Sequence, residues 1–367
     1  MPNPLDKIKT QVKKLSAYTL NAPECRVKIN QNENPYDMPE EIKTQVLARL
    51  ANRPWSRYPT FVPVDLLVTM ARFSSWRADG ILAGNGSNEL IQALLTVTVG
   101  PGTKVLISEP TFTLYRLLIE ILGGEVISLP LTSDLQYDTD LIKHTVIEKA
   151  IDLVIICSPN NPTGGVIKDK DLIELLTDFS GLVILDEAYH EFSEHTVVPL
   201  LKQFSNLIVL RTFSKAMAMA GLRVGYLLSH PDLAREIAKA KLPYNLNFFS
   251  LTAAIVTMEH FDLLAPIINK LIAERERLFT ALSQIPGLQP IPSQANFILT
   301  KTSISPSELM AKLQAKDILA RDVSRYPMLN NYVRFSVGTE KENNELIETL
   351  QEIFTNHPIV GQNLPLN

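Results

Sequence analysis

Cysteine is the scarcest useful residue: Cys25 and Cys157 are the only two among 367 residues. That is too few for a disulfide framework, and the opening MPNPLDKIKTQVKKLS has no apolar core of a secretion signal, so a reduced, cytoplasmic setting is the expectation. No run approaches the roughly 18 apolar residues of a membrane span, and a membrane partner is not expected. Excess charge is lacking too. The formal net charge is -4 and no basic tract stands out, which gives nucleic acid and anionic membranes no electrostatic hold. Internal repeats and low-complexity segments are absent. What remains is 46% hydrophobic, enough for a large core and more than one domain.

Residues 1–35 read as an N-terminal arm without periodicity, ending in the loop formers Asn30-Gln-Asn-Glu-Asn-Pro-Tyr36. Short apolar runs at 81–83, 104–107, 153–157, 182–186, 207–211 and 224–228 then read as strands. Helical periods lie between several of them, at 89–97, at 114–122 closed by Gly123-Gly124, and at 170–179. This alternation predicts an α/β fold with a mostly parallel central sheet, helices on both faces, and ligands beyond the carboxyl ends of the strands. The large domain is expected over 36–260. A long helix at 261–282, with charges gathered at Glu274-Arg-Glu-Arg277, leads into a smaller α/β domain over 261–356. There 295–299, 318–321 and 332–337 read as strands. Ser305-Pro-Ser-Glu308 has the form of a capping box, and 342–354 places Leu346, Leu350 and Phe354 on one helix face. A mobile tail is expected from 357 to 367.

The chemistry gathers around Arg211-Thr-Phe-Ser-Lys-Ala-Met-Ala-Met-Ala-Gly-Leu-Arg223. A lysine that forms a Schiff base must be reachable and partly desolvated, since burial lowers the ammonium pKa and frees the amine. Lys215 lies among small residues with Arg223, a donor fork suited to phosphate, eight positions on. A solvated surface lysine is the alternative. Asp186 follows four apolar residues, where a carboxylate needs a partner. A cation such as a protonated pyridine nitrogen would serve, and so would a helix cap or a buried salt bridge. Tyr189 offers a phenol and Asn161 an amide after another strand. Gly84-Asn-Gly-Ser-Asn-Glu89 combines glycines with a helix start, an anion cradle in form. It lacks the third glycine of a dinucleotide fingerprint. His190 and His195 stand five apart, about 140° round a helix, so no metal site is expected.

The GNGSNE cradle, Pro110-Thr-Phe112, Asn161-Pro-Thr-Gly164, Asp186-Glu-Ala-Tyr189 and Ser214-Lys215 with Arg223 resemble, in order and chemistry, the pyridoxal-phosphate aminotransferases of fold type I. The N-terminal Asn32-Glu-Asn34-Pro35, Arg57-Tyr58-Pro59, the lysine segment and Leu329-Asn-Asn-Tyr-Val-Arg334-Phe-Ser-Val-Gly338 look most like the histidinol-phosphate branch of that family. The resemblance implies pyridoxal 5'-phosphate bonded to Lys215, with Asp186 holding its ring nitrogen protonated. Tyr189 and Asn161 would bond the phenolic oxygen, and Phe112 would cover one ring face. Gly86, Ser87, Thr212 or Ser214, and Arg223 would bind the cofactor phosphate. Tyr58 would reach that phosphate from a second subunit, making the protein a homodimer. Tyr18, Asn34, Arg321 and Arg334 would meet the substrate, and Arg334 alternates away from Val333, Phe335 and Val337. The implied reaction passes an amino group between histidinol phosphate and 2-oxoglutarate, giving glutamate. An aromatic amino-acid aminotransferase and a threonine-phosphate decarboxylase are the alternatives.

Overall fold

The structure is a computed structural model that describes residues 3–17, 23–193 and 195–355. Tyr18 and the tail 357–367 lie outside the described residues. Among them the strands, in chain order, are β1 (Val27–Lys28), β2 (Ile81–Gly84), β3 (Lys104–Glu109), β4 (Glu125–Pro130), β5 (Leu153–Cys157), β6 (Leu182–Asp186), β7 (Leu207–Thr212), β8 (Gly225–Ser229), β9 (Leu288–Pro290), β10 (Phe297–Thr302), β11 (Ile318–Leu319), β12 (Arg321–Asp322) and β13 (Tyr332–Ser336).

Seven strands make one sheet in the order β2-β8-β7-β6-β5-β3-β4. All neighbouring pairs are parallel except those of β8, which is antiparallel to β2 and to β7. Alternation along each strand explains why these segments are apolar throughout. Val154, Ile156, Val183, Leu185 and Val209 face the helices Glu40–Leu50, Val64–Ser74, Asp169–Asp178 and Phe248–Glu259. Leu153, Ile155, Cys157, Ile184 and Ile208 face the helices Ser87–Thr98 and Leu114–Leu122. The register sets Cys157 beside Asp186 and Asp186 beside Leu210. Three strand ends therefore deliver side chains to one edge.

A second sheet, β12-β13-β10-β9, is antiparallel. Its Ile298, Val333 and Phe335 pack with Leu309, Leu313, Leu346 and Leu350 of the helices Pro306–Gln314 and Glu340–Thr355. Ser305 caps the first of these by accepting from the Glu308 amide. Gly123 ends Leu114–Leu122 in the left-handed conformation, as its position predicts.

Several elements differ from expectation. The run 318–321 is two strands in two sheets: Ile318 and Leu319 pair parallel with Val27 and Lys28, whereas Arg321 and Asp322 pair with β13. Ile318 buries beside Val27 and Ile29 and Leu319 is buried as well, while the charged pair continues the second sheet toward solvent and the cavity. Val337 lies past the end of β13 and packs with Tyr189 and Phe297 instead of with Val333 and Phe335. The long helix starts as a 3-10 turn, Phe261–Leu263, then runs as Ala265–Ser283. Its gathered charges divide between core and solvent, with Glu276 exposed. Glu274 and Arg275 are buried; Glu274 accepts from Arg277 and Asn343, and Arg275 donates to the carbonyls of Phe192 and Ala295. Strand β4 and the helix Phe248–Glu259 were not foreseen. No single helix of the described residues is long and apolar enough to cross a membrane.

Candidate active site

Asp186 ends β6 on the face shared with Ile184, and the helix Leu114–Leu122 brings Tyr115 over it. The Tyr115 hydroxyl donates to Asp186 Oδ2 at 2.6 Å, and the Ala188 amide donates to Oδ1 at 3.0 Å. Neither a salt bridge nor a helix cap partners this carboxylate among the described residues. The ion pair of this region is Arg211 with Glu187, 2.9 Å apart on the opposite face of the sheet. Burial pushes the Asp186 carboxyl up to about 6 against the pull of its two donors. A fully buried acid without a cation is a receptor for one. Phe112 meets Tyr115 edge-on, 5.5 Å between centroids.

Lys215 follows β7 in a tight loop whose neighbour Ala216 is buried. Its Nζ donates to the carbonyl of Gln31 at 2.8 Å and lies 5.8 Å from the centre of the Tyr189 ring. Burial, then the charge of Arg334, lowers its amine to about 7. Near neutrality a large share is therefore unprotonated and nucleophilic. The segment 30–34 straps this loop: Asn34 Nδ2 donates to the Ala216 carbonyl and Asn32 Nδ2 to the Tyr189 hydroxyl, both at 3.0 Å.

The glycine cradle opens the helix Ser87–Thr98, two residues earlier than the apolar period predicts, so Ser87 is its first residue. Gly86 has φ +78°, and a Cβ there would stand 2.5 Å from Arg223 Nη2. That close approach requires glycine. Arg223 Nη1 donates to Ser214 Oγ at 3.1 Å, and Thr212 Oγ1 accepts the Ser214 amide. Glu89, in the position of the missing third glycine, accepts from the Asn85 amide and from Asn245.

From the second sheet Arg334 reaches across. Its Nη1 donates to Asn161 Oδ1 at 2.5 Å and its Nη2 to the Asn30 carbonyl at 2.9 Å, with the guanidinium 5.1 Å from the centre of the Phe297 ring. It is buried. The strand alternation that turns it from Val333 and Phe335 turns it into a cavity.

That cavity, about 250 Å³, gathers Ser87, Phe112, Asn161, Asp186, Tyr189, Thr212, Ser214, Lys215, Arg223, Arg321 and Arg334. Three arginines and one lysine line it against the single carboxylate of Asp186, a site built for anions. Gly86 lies behind Arg223. Asn34, expected at substrate, is not in the lining; its amide holds Ala216 and its carbonyl oxygen accepts the Tyr36 amide. Tyr58 is likewise outside the lining, exposed and stacked on Tyr244 at 4.6 Å. Sequence reasoning missed Asn30, Gln31, Asn32, Tyr115, Cys157 and Tyr326, which also line the cavity. Tyr115 was findable, one helical turn beyond Phe112. His190 and His195 pair with different acids, Glu191 and Asp169.

The chain matches the family model "Aminotransferase class I and II" over residues 26–350. It is 35% identical over 331 residues to the histidinol-phosphate aminotransferase of Chlorobaculum tepidum, covering 90% of this chain and 95% of that one. With the enzyme of the same name from Chlorobium phaeobacteroides it shares 37% over 339 residues, covering 92% and 94%. The solved histidinol-phosphate aminotransferase of Sinorhizobium meliloti in complex with pyridoxal-5'-phosphate has the same fold, with a TM-score of 0.86 at 23% identity and coverage of 96% and 98%.

Proposed function

This chain belongs to the class I and II aminotransferases, pyridoxal-phosphate enzymes of fold type I, and from that premise we propose that it passes an amino group from histidinol phosphate to 2-oxoglutarate. The observation that carries the reading is the cavity's charge: three arginines, Arg223, Arg321 and Arg334, against the single carboxylate of Asp186. One cation set serves a cofactor phosphate, and the other serves the distal anion of a substrate, phosphate in one half-reaction and carboxylate in the other.

The residues fit pyridoxal phosphate. Lys215 presents an amine lowered to about 7, Asp186 a buried carboxylate without a cation, and Ser87 a helix start that Arg223 adjoins through Gly86. When bound, the cofactor supplies an electron sink for the substrate carbon. Asp186 keeps the ring nitrogen protonated by charge. Tyr189 and Asn161 would bond the phenolic oxygen, Phe112 would cover the ring, and Thr212 and Ser214 would complete the phosphate contacts. Lys215 Nζ would be the group placed to bond the cofactor and to hold a proton beside the reacting carbon. Arg334 and Arg321 hold the distal anion, with Tyr326 beside them in the cavity wall.

A coupled assay with histidinol phosphate and with phenylalanine as amino donors tests the reading. Turnover is expected with the first, and Lys215→Ala should lose both it and the visible band of the loaded protein. Preference for phenylalanine would move the assignment to the aromatic aminotransferases. Release of carbon dioxide from threonine phosphate, offered as a third substrate, would move it to the phosphothreonine decarboxylases.

A further inference from the structure

We propose that Asn32 is a positioning residue that aims the phenol proton of Tyr189 into the cavity. The inference rests on the cofactor reading above and adds a residue from outside the sheet edge. Asn32 is buried and has φ +56°, a left-handed conformation that asparagine tolerates better than most side chains. Its backbone N–H donates to Ser336 Oγ at 2.8 Å, and Ser336 Oγ donates back to Asn32 Oδ1 at 2.8 Å. Its carbonyl accepts from Asn296 Nδ2 at 3.0 Å. The side-chain Nδ2 is left facing the Tyr189 oxygen at 3.0 Å.

Counting donors fixes the amide. Ser336 has one proton, and Asn32 Oδ1 takes it; with the amide turned over, two N–H groups would face the serine oxygen and its proton would lose this acceptor. Ser336 thus presents the N–H of Asn32 to Tyr189. A phenol whose oxygen already accepts keeps its own proton for another acceptor. The charged and titratable groups around Tyr189 are Arg334, Lys215, Cys157 and Asp186, and Phe297 meets the ring edge-on at 5.2 Å. Asp186 is already engaged by Tyr115 and Ala188. The Tyr189 proton is therefore available to the phenolic oxygen of a bound cofactor. An acceptor at position 32 would draw it the other way.

The consequence is spectroscopic. A donor on the phenolic oxygen weakens that oxygen's hold on the proton of the Lys215 nitrogen in the loaded protein, so Tyr189 lowers the pH at which the visible band titrates. The test titrates that band in the native protein, Tyr189→Phe, Asn32→Asp and Ser336→Ala, with melting temperatures recorded alongside. Tyr189→Phe should raise the midpoint by on the order of one pH unit, a tenfold change. Asn32→Asp keeps the shape but offers an acceptor, and should raise it comparably. Ser336→Ala, which frees the amide to turn over, should raise it by less. If both Asn32→Asp and Ser336→Ala melt lower yet titrate like the native protein, Asn32 only packs and the proposal is overturned. If the band forms but Tyr189→Phe leaves its midpoint unmoved, the cofactor reading stands and this proposal falls. If the native protein gains no band with the cofactor, both readings fall.

Discussion

Asp186 and Lys215 are both held away from the charge states they would have in water, in opposite directions. The Asp186 carboxyl sits at about 6 against an ordinary 3.8, so between those values the folded chain keeps a proton that the unfolded chain has released. Stability from this group is complete below about 4 and is lost as pH rises through about 6, a loss of about 3 kcal/mol. Replacing the carboxylate by its neutral isostere should remove that cost. Cofactor-free Asp186→Asn is therefore expected to melt above the cofactor-free native chain at pH 8 and to show no such gain at pH 4. A lower melting temperature at pH 8 would mean that the ionised carboxylate is no burden. Tyr115→Phe deletes the donor to Oδ2 and should move the Asp186 titration upward, read from the carboxyl carbon shift in the unloaded protein. Lys215 has the opposite sign. Its folded value, about 7 against 10.5, means that protonation opposes folding below the unfolded pKa, a burden relieved as pH rises from about 7. The rate of cofactor attachment to the unloaded protein should rise with pH and level off just above 7. A rate still climbing at pH 10 would mark an ordinary surface lysine.

At the scale of elements, the cradle depends on one backbone position. Gly86→Ala forces a side chain into positive φ, which costs roughly 1–2 kcal/mol by the steric penalty for L residues there, and drives Cβ against Arg223. Cofactor binding to the unloaded protein should weaken at least about tenfold, the equivalent of 1.4 kcal/mol. Because both changes act on one phosphate contact, Gly86→Ala and Arg223→Ala should combine less than additively; additive losses in equilibrium titrations would separate them. The central strands were legible because both of their faces are buried, which writes β5, β6 and β7 as unbroken apolar runs. β4, at the sheet edge, is half-exposed with Glu125 and Ser128 interrupting it, and it gave no such signal. Helix Phe248–Glu259 is buried on several sides, so no single apolar stripe marks it. The lysine loop, Asp186, Tyr189 and the cradle were readable from residue type and place after a strand. The strap 30–34 was not, since its hydrogen bonds to Lys215, Ala216, Tyr189 and Ser336 join residues 157 to 304 positions apart. Periodicity carries no trace of such pairings.

At the scale of the whole molecule, one surface is unlike the rest. Trp55, Tyr58, Phe61, Val62, Val64, Leu242 and Tyr244 are all exposed, Tyr58 to 80%, and Phe61 joins the Tyr58–Tyr244 stack edge-on. A cluster of large apolar side chains on that scale marks a contact surface, and the occupant that the resemblance implies, and that we propose, is a second copy of this chain. Sedimentation should give twice the mass of one chain, and Trp55→Glu should shift it toward the monomer. The sharper expectation concerns Tyr58, which does not line the cavity of its own chain and is proposed to bond the cofactor phosphate of the other. Mix Lys215→Ala chains, which have no amine to bond the cofactor, with Tyr58→Phe chains, which have no hydroxyl for the phosphate. If Tyr58 serves the neighbour, each hybrid dimer holds one site with both defects and one with neither, and activity rises above the average of the two parents toward half that of a native dimer. If Tyr58 serves its own chain, every hybrid site carries one defect and mixing recovers nothing. Exchange of subunits, followed by mass spectrometry of the mixture, makes a null result interpretable: hybrids present without recovered activity would place Tyr58 outside the partner's site.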